Sequence, residues 1–261
     1  MEYLWSFGDT AAEHEMMDAS RKNVLNMVCG LTLAAMALAA VGTAQASMIE
    51  IDHTDVTGGS LPEGVSVEAS RNGSSADMET KCAGQGSDRV CGVGIRGGRT
   101  NGEIDAVGNE RIEFFFDEPV TLESLTIALL YVGPAWNDPS VGERARFTVT
   151  LADGSTQSVT FQVDPGGETG TLVGAAAGGS FSRCSSNPAN QQSSGGCWSF
   201  SGLFGDQLIS SLAFTADSVV SSGNDSDYVI VNVRAVPEPA LLALFGAGLL
   251  GMGLARRRRR G

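Results

Sequence analysis

The sequence predicts an all-β chain: an antiparallel β-sandwich of jelly-roll type, flanked by an N-terminal signal helix and a C-terminal transmembrane helix. Three observations carry this. Between Ser47 and Val236 apolar residues recur at every second position, the period of a strand with one face buried. Short Gly/Ser-rich stretches punctuate that rhythm, and no long amphipathic helix pattern interrupts it. One unbroken apolar segment stands near each end of the chain.

The strands follow in order. Met48–Asp52 and Gly64–Ala69 open the domain. Ile112, Phe114 and Phe116 then alternate with Arg111, Glu113 and Asp117, and Leu125, Ile127 and Leu129 continue the rhythm. Phe147, Val149 and Leu151 precede Asp153-Gly154, and Val159, Phe161 and Val163 come after it. That is a hairpin, because an Asp-Gly pair accepts the positive φ a tight turn demands. Cys197–Leu203, Leu208–Thr215 and Tyr228–Arg234 complete the set. No blade-length or short internal repeat is present, which excludes a propeller or β-helix.

The Gly/Ser-rich stretches 71–101 and 164–196 read as loops, each holding cysteines. Pairing by sequence proximity gives Cys82–Cys91 and Cys184–Cys197, each bridge worth about 3 kcal/mol on a chain-entropy estimate. The rival use is a metal site. Neither spacing forms the Cys-x2-Cys knuckle that zinc favours, and no histidine lies nearby. Trp198, beside Cys197, is expected in the core.

At the amino terminus Arg21-Lys22 precede an apolar run, Val24 to Val41, followed by Ala44-Gln45-Ala46. Charge, apolar core and Ala-x-Ala make residues 1–46 a signal peptide for the Sec machinery and signal peptidase. The stretch before Met16 and Met17 is acidic and long for a leader, so either methionine is the expected true start. Retention of the leader as a second anchor is the alternative.

Charge is unevenly spread. Of 30 acidic residues 24 lie between Ser47 and Val236, but only 10 of the 17 basic ones do. Such a domain repels nucleic acid and anionic lipid and tolerates cations and neutral polysaccharide. Catalytic patterns are scarce. His53 is the sole histidine of the domain, and no serine sits in a Gly-x-Ser-x-Gly elbow. Gly92-Val93-Gly94-Ile95-Arg96-Gly97 imitates a dinucleotide fingerprint but opens no helix pattern, so we read it as coincidence. The pairs Glu103/Asp105, Asp117/Glu118 and Asp225/Asp227 supply the two carboxylates a glycoside hydrolase needs, although sequence spacing does not set their separation. Glu103, Asp105, Asp225 and Asp227 are the acids expected around a structural calcium, the one cofactor considered. Trp136, in Gly133-Pro134-Ala135-Trp136-Asn137-Asp138-Pro139, either stacks on a sugar or folds back over the sandwich edge.

The tail is the most informative stretch. Pro237-Glu238-Pro239 leads into Ala240 to Ala255, which carries no charged side chain, and then into Arg256, Arg257, Arg258, Arg259 and Arg260. As a helix the apolar run spans roughly 24 Å, short against a bilayer core of about 30 Å that thinning and snorkelling arginines can match. The arginines stop transfer and stay cytoplasmic. Both prolines keep the preceding stretch extended and accessible.

These three parts resemble the PEP-CTERM sorting signal of Gram-negative bacteria. The resemblance implies export across the inner membrane and transient anchoring. It also implies processing near Pro237-Glu238-Pro239 by an exosortase, a membrane protease or transpeptidase, with a final place at the cell surface or outside. Gly102-Glu103-Ile104-Asp105, Asn109 to Ile112, Phe116 to Leu122 and Ser226-Asp227-Tyr228 are similar to β-sandwich ectodomains carried on that tail. The chain therefore divides into 1–46, 47–236 and 237–261, the last with a span over 240–255. The expected function is a non-catalytic envelope or exopolysaccharide-matrix protein. A carbohydrate-binding module on the same anchor, or an extracellular hydrolase, are the alternatives.

Overall fold

In the computed structural model, residues 47–84, 89–132, 142–184, 196–217 and 226–238 are described. The leader, Trp136, Asp225, Pro239, the apolar run 240–255 and the arginine cluster lie outside them. Among the described residues no helix is long and apolar enough to cross a membrane.

The chain enters through β1 (Ile49–Asp52) and turns through a single-turn helix, α1 (His53–Gly58). Its capping box explains why it forms: Asp52 accepts from the amides of Thr54 and Asp55, while Asp55 accepts from the amide of Asp52. β2 (Val65–Arg71), β3 (Ser74–Ser75), β4 (Met78–Ala83), β5 (Val90–Ile95) and β6 (Ile104–Asp105) follow. Next come β7 (Arg111–Ala128), β8 (Arg144–Leu151), β9 (Thr156–Val163), β10 (Gly170–Val173), β11 (Ser180–Arg183), β12 (Trp198–Ser201), β13 (Leu208–Asp217) and β14 (Asp227–Pro237). Every pairing is antiparallel.

The 18-residue β7 belongs to both halves of the structure. Its first half lies between β2 and β13, with β8, β9 and β10 continuing beyond β13. Its second half lies between β14 and β12. β11 extends beyond β12, and β5 and β4 extend beyond β14. Between the halves, Phe116 to Pro119 stand opposite Ser210 alone, a bulge large enough to fold the strand. Pro119 suits that position because it has no amide to leave unpaired.

The rhythm along β7 changes phase. Ile112, Phe114, Phe116, Val120 and Leu122 are buried, and then Leu125 and Ile127. A register shift opposite Arg234/Ala235 loops out Glu123, which returns the apolar side chains to the core one residue late. The strand stops at Ala128 because Leu129 takes φ 65°.

Rings from strands that share no hydrogen bonds meet in the interior. Phe147 of β8 packs 5.1 Å from Phe200 of β12, and Phe161 of β9 packs 4.9 Å from both Trp198 and Phe200. The two halves therefore face each other across one apolar core. Trp198 is fully buried and gives its indole N–H to the Leu130 carbonyl at 3.2 Å. The cysteines are bonded Cys82–Cys91, a directly opposed pair across β4 and β5, and Cys184–Cys197.

The expectation that 71–101 and 164–196 are loops is corrected. The first holds β3, β4 and β5, and the second holds β10 and β11. Two of the glycines on β5 are packing devices. A Cβ at Gly92 would run into Val229 of β14, and one at Gly94 into the Gly102 carbonyl and the Glu103 backbone. The false dinucleotide fingerprint is thus a strand whose bare faces let neighbours come close.

Phe161→Ala empties the meeting point of four rings and is expected to cost about 3–5 kcal/mol by urea denaturation. Val173→Ala, at a side chain 64% exposed, is expected to cost no more than about 0.5 kcal/mol.

Candidate functional site

Two features on β14 stand out, one at each end. At its beginning Asp227 and Tyr228 pair with Asp105 and Ile104 of β6. Just before β6 the chain doubles back on β5. The Ile95 amide donates to the Glu103 carbonyl at 3.1 Å and the Gly102 amide donates to the Ile95 carbonyl at 3.0 Å. Gly102 adopts φ 80°, which this turn requires. The result collects carboxylates in the interior: Glu103, Asp105, Glu110 and Glu143 are all at most 5% exposed.

Each has partners, as buried charge demands. Asp105 accepts from the amides of Thr100 at 3.1 Å and Val107 at 2.8 Å. Glu110 accepts from the Asp105 amide at 2.8 Å and from Arg71 Nε at 2.7 Å. Glu143 accepts from the Tyr131 amide at 2.6 Å. Glu103 meets Lys81 Nζ at 2.5 Å. Asp227 accepts from Thr100 Oγ1 at 2.7 Å and shares a hydrogen bond with Glu103.

Burial, then the hydrogen bond and charge of Glu103, push Asp227 up to about 9, so it keeps its proton at neutral pH. Burial above all pushes Glu143 well above the ordinary carboxylate range. Burial raises Glu110 against the opposing pull of Arg71. Tyr131, buried near Glu103, Glu143 and Asp227, is also raised. The site is therefore a desolvated carboxyl cluster in which Asp227 keeps its proton.

Of the acids expected around calcium, Glu103, Asp105 and Asp227 come together, while Asp225 is outside the described residues. Their oxygens are engaged by amides, Lys81 and Thr100. Among the described residues no group of three His, Cys, Asp or Glu side chains could hold a metal ion. Asp117 and Glu118 are exposed at the β7 fold, and His53 sits in the first turn of α1. Sequence reasoning missed Glu110, Glu143, Thr100 and Lys81; Thr100 and Glu110 flank β6 in sequence, whereas Lys81 of β4 and Glu143 before β8 come from elsewhere in the chain. The one available signal was that Lys22 and Lys81 are the chain's only lysines. A separate open groove of about 460 Å³ lies over β2, β3 and β7, with Glu68, Ser70, Ser75 and the Arg111–Glu113 ion pair on its walls.

At the other end of β14, Ala235, Val236 and Pro237 pair with Leu122, Thr121 and Val120. The Glu238 amide reaches the Pro119 carbonyl at 3.4 Å. Ala235 also pairs with Ile49 of β1, so the described chain enters and leaves at the same end.

Residues 235–260 match the PEP-CTERM protein-sorting motif. The motif implies export, anchoring through the C-terminal tail and an exosortase as processing partner. No curated protein matches the chain. Among solved structures, an agarase is similar at 15% identity and TM-score 0.32, over 73% of this chain and 25% of its own, so the chain spans a quarter of that protein. A carbohydrate-binding module from a family 31 glycoside hydrolase of Clostridium perfringens is similar at 13% identity and TM-score 0.26, over 60% of this chain and 93% of its own. At these TM-scores neither likeness carries an argument about ligand or activity.

The proton on Asp227 sets a pH dependence. From about pH 4, where an unfolded aspartate ionises, to about pH 9, the folded state binds a proton that the unfolded state has released. Stability therefore falls as pH rises through that window. Asp227→Asn is expected to flatten the fall of melting temperature between pH 5 and 9 (roughly the window above), leaving the residual slope of Glu143 and Glu110.

Proposed function

We propose that this is an exported structural protein of the cell envelope or exopolysaccharide matrix, without catalysis of its own. In this reading a disulfide-bonded sandwich of jelly-roll type is displayed and then processed on its sorting tail. The observation that supports the reading most is the contiguity of fold and tail. The matched motif begins at residue 235, inside β14, and Pro237 is still in register with Val120. The cargo is thus built directly onto the segment the exosortase handles. The two disulfides fit an oxidising destination. The buried carboxyls are engaged with partners of the fold itself, as expected of structural groups.

Exported full-length protein carrying Pro237→Ala and Pro239→Ala is expected to accumulate unprocessed in the membrane fraction, while the parent chain appears shortened at the surface or in the medium. Equal processing of the two would contradict the reading. Retention of the parent on immobilised polysaccharide, lost on Trp136→Ala, would favour a carbohydrate-binding module instead.

Because Glu103, Asp105 and Asp227 are engaged within the fold, millimolar calcium is expected to leave the melting temperature unchanged. A clear rise would return Glu103, Asp105, Asp225 and Asp227 to the role of calcium ligands.

A further inference from the structure

Lys81 is the one lysine of the described domain, and its amine meets a carboxyl group inside the fold. Lys81 Nζ lies 2.5 Å from Glu103 Oε1, and the Glu103 side chain is 7% exposed against 33% for the lysine. Two glycines, Gly94 on β5 and Gly102 in the β5–β6 turn, bring them together. Gly94 has no Cβ to collide with Glu103, and a Cβ on Gly102 would sit 3.1 Å from Lys81 Cβ. Asp227 also interacts with the Glu103 side chain, and its Oδ2 accepts from Thr100 Oγ1 at 2.7 Å. An amine, a carboxyl and a second carboxyl brought together make up the parts of an acid-catalysed condensation.

We propose that Lys81 and Glu103 become joined by an intramolecular amide bond, with Asp227 as the proton-transfer group. The ammonium first gives its proton to the Glu103 carboxylate, leaving a neutral amine and a neutral acid. The amine nitrogen attacks Glu103 Cδ and forms the C–N bond. Asp227 gives its proton to the departing hydroxyl as the C–O bond breaks, and recovers one from the nitrogen. One amine and one acid yield one amide and one water, so no oxidant, metal or cofactor is needed. Contact at this distance replaces a bimolecular encounter with a near-attack arrangement. Asp227 holds its proton to about pH 9, which keeps the acid in its working form. The product would pin β4 twice, through Lys81 to the β5–β6 turn and through the adjacent Cys82 to Cys91, one link proof against reduction and one not.

The test is mass analysis of the exported chain purified from its host, after reduction and denaturation. We expect a mass short by one water and a tryptic peptide in which residue 81 is branched to residue 103. Lys81→Arg, which keeps the charge, is expected to show the full mass. Asp227→Asn is expected to contain mostly unlinked chain. A parent chain whose Lys81 is open to amine acylation after denaturation, with no branched peptide, would overturn the proposal. Full linkage in Asp227→Asn would overturn the role given to Asp227. The branched peptide distinguishes this bond from water lost by cyclisation at Asp153-Gly154.

Discussion

The pairing of β7 with its neighbours is the interaction on which the rest of the domain depends. One strand contributes to both layers, and β13 and β14 take their register from it. The fold at Asp117 to Pro119 turns a single sheet back on itself without a free edge at the crease. Phe114 and Leu125, on opposite sides of that fold, end in the same core. Loss of the β7 register would undo both layers together, since a slip of one residue sends every apolar side chain to the wrong face.

β14 transmits this constraint to the tail. Its 11 residues, roughly 35 Å of extended chain, separate the carboxyl cluster at Asp227 from the sorting motif at Pro237. There is no Gly/Ser spacer between core and tail. Val233 and Ala235, four and two positions before Pro237, are fully buried. The sorting segment therefore emerges from the most tightly paired part of the sheet. β1 lies against it, so both ends of the described domain sit at one pole. At the other pole the protein gathers acids where water is scarce and satisfies each with an amide, a hydroxyl or a cation. That arrangement adds little net stability but fixes the geometry of five separate segments.

The strands outside the glycine-rich segments were legible from their alternating burial, and the period of two survives even the phase change in β7. The hairpin at Asp153-Gly154 was legible from turn chemistry, and Gly154 takes φ 83° as that chemistry requires. The tail was legible because length, apolarity and terminal charge have few uses together. The glycine-rich segments were not. Composition there suggested loops, whereas β4 and β5 are defined by what stands beside them, and a glycine chosen to admit Val229 or Gly102 looks the same in sequence as one chosen for a turn. Three of the four acids expected together do meet, because β6 and β14 pair. Glu143 and Lys81 arrive from distant segments, and only the three-dimensional arrangement brings them in, while Glu110 lies five residues beyond Asp105.

The account stands on the chain being a cargo for export that is trimmed at both ends. The most direct measurement is mass spectrometric determination of both termini of the protein isolated from its host, together with the state of its cysteines. The account predicts an amino terminus at Ser47, a carboxyl terminus close to Pro237-Glu238-Pro239, and four oxidised cysteines. A native chain still carrying residues 1–46 and the arginine cluster, found in the cytosol with free thiols, would contradict it.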